Sequence, residues 1–344
     1  MLANFRLYQV ADNLSASSLI RAKITPMIKI TQNVIKWFIV IFVGAHWPSF
    51  AQQLTFNKSK QSELVAFNYS WSDHQQQTQD IAFALPLSQL NRQNHKKIIP
   101  SLAQQYVYIE LHKAARQINP KEARVQIQRR GQDIQIQVTS RSEHLLERWQ
   151  RSMEQSKEKA LERYLQDNYY NYFYSHLGQK AIKPDHLRYI SENKAALLPI
   201  AQAVYEKLST NSETRAYVSL VLSWVQSIPY NELENRLDSN GAGYLPPLSV
   251  VANNQGDCDS KTVLMASLVR SLLPDTKMTM VYLPNHALLG IVLPFVSGEQ
   301  TITIDGFEYL LMEPTGPAKI ALGDIAARSG NYIAGNMYSV EEIP

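Results

Sequence analysis

QGDCDSKTVLMASLVRSLL, residues 255–273, is the stretch on which the reading of this chain turns. Val263, Leu264, Ala266, Leu268, Val269, Leu272 and Leu273 recur at helical spacing, so a buried helix is expected over 258–272. Cys258, the only cysteine among 344 residues, opens it. A thiol at a helix N-terminus feels the positive end of the dipole, which favours the thiolate. Gly256 permits close approach of a substrate backbone. Asp257 and Asp259 can cap free amides, although their charge opposes thiolate formation.

Working outward, the first 51 residues hold five of the 34 basic and one of the 30 acidic side chains, which leaves 29 of each in the rest. That body is neutral, so there is no electrostatic case for nucleic-acid binding. Lys29 and Lys36 precede the apolar run WFIVIFVGA (37–45), and Ser49 and Ala51 form a small-x-small site. This layout is that of a secretory signal peptide cleaved after Ala51, with Met27 as an alternative start. The run is far shorter than the ~20 residues a membrane span needs, so the mature chain is expected to lack one and to be periplasmic or secreted. An uncleaved anchor and a cytosolic protein are the alternatives. An exported chain with one cysteine has no internal disulfide framework, which leaves the thiol as a buried small hydrophobe, a lipidation or pairing site, or a nucleophile.

Residues 52–140 read as a β-rich N-terminal domain. ELVAFNYSW (63–71) and DIAFALPL (80–87) suit a hairpin, and RVQIQRRGQDIQIQVTS (124–140) alternates around a Gly-containing turn. Residues 141–208 read as a helical connector. The pattern is helical from Ser142 to Ser175, and the cluster Tyr169, Tyr170, Tyr172, Phe173, Tyr174 suits packing between domains or stacking on a ligand. In 209–344 the helix ETRAYVSLVLSWVQSI (213–228) leads through a polar loop to Cys258. A strand (277–283), a second strand starting at His286 and a hairpin pair (302–314) follow.

A thiolate needs a base. Of eight histidines only His286 lies C-terminal to Cys258, at the leading end of an apolar strand. A carboxylate could orient its ring, and two compete. Glu313 follows the apolar run YLLM, where an acid is rarely buried without a partner. Asp305 stands in Asp-Gly between strands, which is also an ordinary hairpin turn. One cysteine and dispersed histidines give no metal-ligand spacing, so no cofactor is expected.

The series WVQSIPY (224–230), the Gly-x-Cys element at 256–258, KMTMVYLPN, HALLGIVLP and YLLMEPT resembles the transglutaminase-like superfamily over 210–318. Glu313 stands where that family has Asp, and Ala287 replaces the aromatic that frequently follows its His. The resemblance implies an α+β fold with a papain-like core, in which a nucleophile helix packs on an antiparallel sheet. It also implies a Cys258–His286–Glu313 triad that cleaves or transfers an amide of a peptide, protein or peptidoglycan. A member of the fold without turnover, acting as a binding module of the cell envelope, is the other expectation.

Overall fold

The computed structural model of the chain describes residues 52–344 apart from 91–94, 132, 237–238 and 240. The signal-peptide expectation for 1–51 lies outside the described residues. In chain order the first elements are β1 (Gln52–Gln61), β2 (Leu64–Ser72), β3 (Thr78–Pro86), α1 (Leu87–Leu90), α2 (Pro100–Arg116), β4 (Arg124–Arg130), β5 (Asp133–Thr139) and α3 (Glu143–Asp167). There follow β6 (Tyr170–Tyr174), β7 (Lys180–Pro184), α4 (His186–Tyr205), α5 (Thr214–Ser227), α6 (Pro247–Asn253) and α7 (Cys258–Leu272). The chain closes with β8 (Met278–Leu283), β9 (His286–Ile291), β10 (Thr301–Ile304), β11 (Phe307–Met312), α8 (Ala327–Ala334) and β12 (Ser339–Ile343). The fold class is α+β.

MTMVYL in β8 is buried at every position because its sheet is covered on both faces. The sheet is antiparallel throughout, in the order β10-β11-β9-β8-β12. Side chains alternate between faces along each strand. Met278, Met280, Tyr282, Ala287, Leu289, Ile291, Leu310 and Met312 join the main core with α7. Val281, Leu283, Leu288, Tyr309 and Leu311 enter a second core against Ile325, Tyr332 and Ile333 at α8. Among the described residues no helix is long and apolar enough to cross a membrane.

The β1–β3 sheet packs into that same main core. Val65, Phe67, Tyr69, Trp71 and Ile81 cluster with Tyr217, Trp224 and Val251 of the α5–α6 region. The Trp71 indole donates to Ser223 Oγ at 2.9 Å, and Trp224 meets Tyr69 edge-on at 5.2 Å. A separate small core unites α2, α3, β4 and β5 through Val107, Leu111, Ile127, Ile134 and Met153.

Two elements depart from expectation. The segment expected to be β-rich contains the helix α2, whose VYIEL run looks strand-like. Its buried residues Ala103, Val107 and Leu111 are four apart, however, and Pro100 sits at its start, where its missing N–H costs nothing. The helix expected to run to Ser175 stops at Asp167. Tyr169 then takes a left-handed φ of 60°, and 170–174 pair with β7 as a hairpin. The aromatic run serves packing. Phe173 meets Tyr282 at 4.9 Å, and the Tyr170 hydroxyl donates to the Lys96 carbonyl while accepting from the Ile98 amide.

Candidate active site

The nucleophile candidate is placed by the start of α7. Asp257 is its N-cap, with a side-chain oxygen accepting from the Ser260 amide. The preceding residue, Gly256, bridges to Tyr230: its amide donates to the Pro229 carbonyl, and its carbonyl accepts from the Asn231 amide. A Cβ on Gly256 would come within 3.0 Å of the Lys261 side chain. The structure thus shows a close approach to Gly256 from the helix side.

Lys261 itself is fully buried, and its ammonium donates to the Ile228 and Gln226 carbonyls at 2.7 and 3.3 Å. Burial pushes its pKa down to about 7. Lys261 thus ties the end of α5 to the helix of the cysteine. Lys261→Ala is expected to lower unfolding free energy by about 2–4 kcal/mol, because two buried carbonyls lose their donor. Urea unfolding would measure this, and a loss below about 0.5 kcal/mol would refute the bracing role.

His286 is the first residue of β9, and its position follows from the turn before it. Leu283 and His286 are register partners, so Pro284 and Asn285 form a two-residue turn. Asn285 has φ 64°, the left-handed value that type II turns require after proline. Thr262 then links helix to strand. Its hydroxyl lies 2.8 Å from the Cys258 carbonyl and 3.3 Å from the Ala287 carbonyl. Cys258 and His286 open onto one cavity of about 630 Å³, lined also by Tyr230, Asn231, Glu232, Thr315 and Pro317.

Glu313 follows β11 and meets the ring. Its Oε1 lies 2.8 Å from His286 Nε2, while Oε2 accepts from the Ala326 amide at 2.9 Å and the Ser329 hydroxyl at 3.3 Å. The carboxylate therefore spans the distance between imidazole and the start of α8, where the helix dipole also favours it. Burial alone would raise its pKa. The hydrogen bond and charge of His286, with Ala326 and Ser329, outweigh burial and bring it below its ordinary 4.5. This stabilisation is complete above pH 4.5 and is lost as pH falls through the lowered value. Asp305, the competing acid, is exposed in the turn between β10 and β11. Asp305 and Gly306 both have positive φ there, 49° and 81°, as a type I′ hairpin needs.

The acid's loop is braced from α5. Gln226 spends both side-chain protons on the Glu313 and Ile320 carbonyls, and its oxygen faces His74 Nε2 at 2.9 Å. A Cβ on Gly316 would run into the Gln226 carbonyl, so this wall of the cavity lies directly on the helix. No protein-family model, curated protein or solved structure matches this chain. The geometry of its own residues therefore carries the functional argument.

One expectation fails. The helix dipole argues for an easily ionised thiol, but Cys258 is only 6% exposed, and burial with the charges of Asp259 and Asp257 pushes its pKa well up. Its hydrogen bond goes to Asp259 Oδ1 at 3.7 Å. Asp259 was expected to cap amides and instead turns toward the sulfur and toward His186 on α4, 3.8 Å from its Oδ2. Nothing local in sequence marks His186, which lies 73 residues before Asp259. Among the described residues no group of three or more His, Cys, Asp or Glu is arranged to hold a metal ion.

Proposed function

We propose that this chain is a thiol-dependent hydrolase or acyltransferase acting on an amide or peptide bond, with a papain- or transglutaminase-like arrangement of Cys258, His286 and Glu313. The observation that carries this reading is the 2.8 Å contact between His286 Nε2 and Glu313 on the wall of a cavity that also contains Cys258. Glu313 accepts from Nε2–H, which leaves Nδ1 as the basic nitrogen. Cys258 Sγ attacks the carbonyl carbon while its proton passes to His286 Nδ1. The C–N bond then breaks, and the imidazolium returns that proton to the leaving amine. The thioester on Cys258 is released by water, or by a second amine, whose proton His286 removes. The oxyanion needs donors at the start of α7. Ser260 N–H is taken by the Asp257 side chain, Lys261 N–H by the Asp257 carbonyl, and the Asp259 N–H faces the Asp257 carboxyl and the Cys258 sulfur, so the Cys258 amide is the donor assigned to it.

Burial and the neighbouring acids disfavour a preformed thiolate, so transfer of the thiol proton to His286 accompanies attack. The leader at 1–51 favours export, so the peptide part of peptidoglycan is the preferred substrate class, with other envelope peptides and proteins next. Incubation with purified peptidoglycan fragments tests this directly. Mass spectrometry should find cleaved peptide from the wild type and none from Cys258→Ala, and an acyl adduct on Cys258 at short times. A Cys258→Ala variant as active as wild type would refute the thiol mechanism. The burial of Cys258 and its bond to Asp259 favour the second reading, a binding module that does not turn over. Retention of unmodified fragments by wild type and Cys258→Ala alike, without cleavage, would decide for it.

A further inference from the structure

From Cys258 a chain of buried and half-buried polar groups leads through α4 to β8 and the edge strand β12. Cys258 Sγ lies 3.7 Å from Asp259 Oδ1, and Asp259 Oδ2 lies 3.8 Å from His186 Nε2. His186 Nδ1 is 3.0 Å from the Tyr282 hydroxyl, which donates to Glu341 Oε2 at 2.7 Å. Lys183 Nζ reaches the same Glu341 oxygen at 2.8 Å. His186 is fully buried, and its Nε2 has no hydrogen-bond partner.

The proton positions in this chain follow by elimination. Lys183 pairs with Glu341 Oε2, and the single proton of Tyr282 is donated to that same oxygen. Tyr282 can then only accept from His186, which places the proton of the neutral ring on Nδ1. Nε2 is left with a lone pair, and Asp259 Oδ2 stands 3.8 Å from it. Two lone pairs facing each other in a dry interior repel, unless a proton stands between them. Burial, with Lys183 and His95 nearby, lowers the pKa of the ring and so disfavours a second proton there. Of the two groups the carboxyl is the one on which burial favours a proton. Burial and Asp257 raise the pKa of Asp259 to about 8, against the pull of Lys183.

We propose that His186 and Asp259 are positioning residues for Cys258: a proton held on the Asp259 carboxyl and directed at His186 Nε2 keeps Asp259 uncharged, so the thiol ionises toward His286 beside one negative neighbour instead of two. The inference rests on the nucleophile reading of Cys258. Other charged or titratable groups face this pair from several elements. Asp257, on the same helix, is raised to about 6 by burial, and Lys261 beside it is lowered to about 7. Tyr282 from β8, Tyr244 from the stretch before α6 and Tyr230 from the cavity wall are all pushed above the ordinary tyrosine range by burial. Lys183 from β7 and Glu341 from β12 stay paired with each other. Of the two carboxyls Asp259 is the more strongly raised, and when it ionises it opposes the thiolate.

Alkylation of Cys258 by iodoacetamide, followed by intact mass from pH 6 to 10, reads this without a substrate, since the chain has one cysteine. In the wild type the log rate should rise with pH and flatten near pH 8, where Asp259 ionises. Asp259→Asn should remove the break and react about tenfold faster at pH 9. His186→Gln gives Asp259 an N–H donor, and Tyr282→Phe frees the ring to place its proton on Nε2. Both should move the break down by about one pH unit, and the Asp259→Asn/His186→Gln double variant should behave as Asp259→Asn alone. A wild-type profile without a break, a break that survives Asp259→Asn, or one unmoved by both His186→Gln and Tyr282→Phe would overturn the proposal. Failure of the nucleophile reading would look different: cleavage of peptidoglycan fragments would be absent, or would survive Cys258→Ala, whatever the alkylation profile.

Discussion

His286→Ala is expected to lower kcat on the cleaved substrate by about 10²–10⁴-fold, because no other described group on the cavity wall is an imidazole that can take the thiol proton. Glu313→Gln should cost nearly as much. A carboxylate that only orients the ring would tolerate an amide well, but Glu313 accepts on both oxygens, from the ring and from Ala326 and Ser329. A glutamine has one acceptor. If its oxygen keeps the Ala326 amide, its NH₂ faces His286 Nε2 and drives the ring proton to Nδ1, the nitrogen that must stay basic. The expected loss for Glu313→Gln is therefore about 10²–10⁴-fold as well, with little change in substrate affinity. Steady-state kinetics would test both, with circular dichroism to confirm folding. Either folded variant within threefold of wild type would end the triad reading.

The second large effect is on stability and comes from far outside the cavity. Trp71 is fully buried, and its indole is bonded to Ser223 on α5, one residue from Trp224. Trp71→Ala should reduce unfolding free energy by about 3–5 kcal/mol, through lost apolar burial and the cavity left behind. That is a large fraction of the ~5–15 kcal/mol available to a domain. The expected result is a much lower urea midpoint together with loss of cavity function, since α5 also carries Gln226, which braces the Glu313 loop. A loss under about 1 kcal/mol would mean that β1–β3 is a separable unit.

Why the N-terminal sheet matters is a question of packing, and no local pattern could have answered it. RVQIQRR and DIQIQVT pair as read, because alternation within a hairpin needs only neighbours. ELVAFNYSW also reads correctly as a strand. Which surface Tyr69 and Trp71 bury, however, depends on a helix about 150 residues later. The misread elements have the same origin. Tertiary burial of Ala103, Val107 and Leu111 makes a helix of the strand-like VYIEL. In 170–174, pairing with β7 overrides a helical run that lacks Gly and Pro.

Short-range rules suffice for the α7 helix, for His286 at the start of an apolar strand, and for an acid after β11. They are the helical period, the apolar run that opens at His286, and the rarity of a buried carboxylate without a partner. Only the tertiary structure decided that Glu313 and not Asp305 meets the ring, since α8 had to bring Ala326 and Ser329 to the second carboxylate oxygen. It alone also decided the state of the thiol. The helix dipole is local and readable, but the burial of Cys258, the turn of Asp259 toward it and the approach of His186 come from elements far apart in the chain. Desolvation by those elements outweighs the dipole, because the penalty for a buried charge grows with every group that excludes water, while the dipole acts only from the first turn.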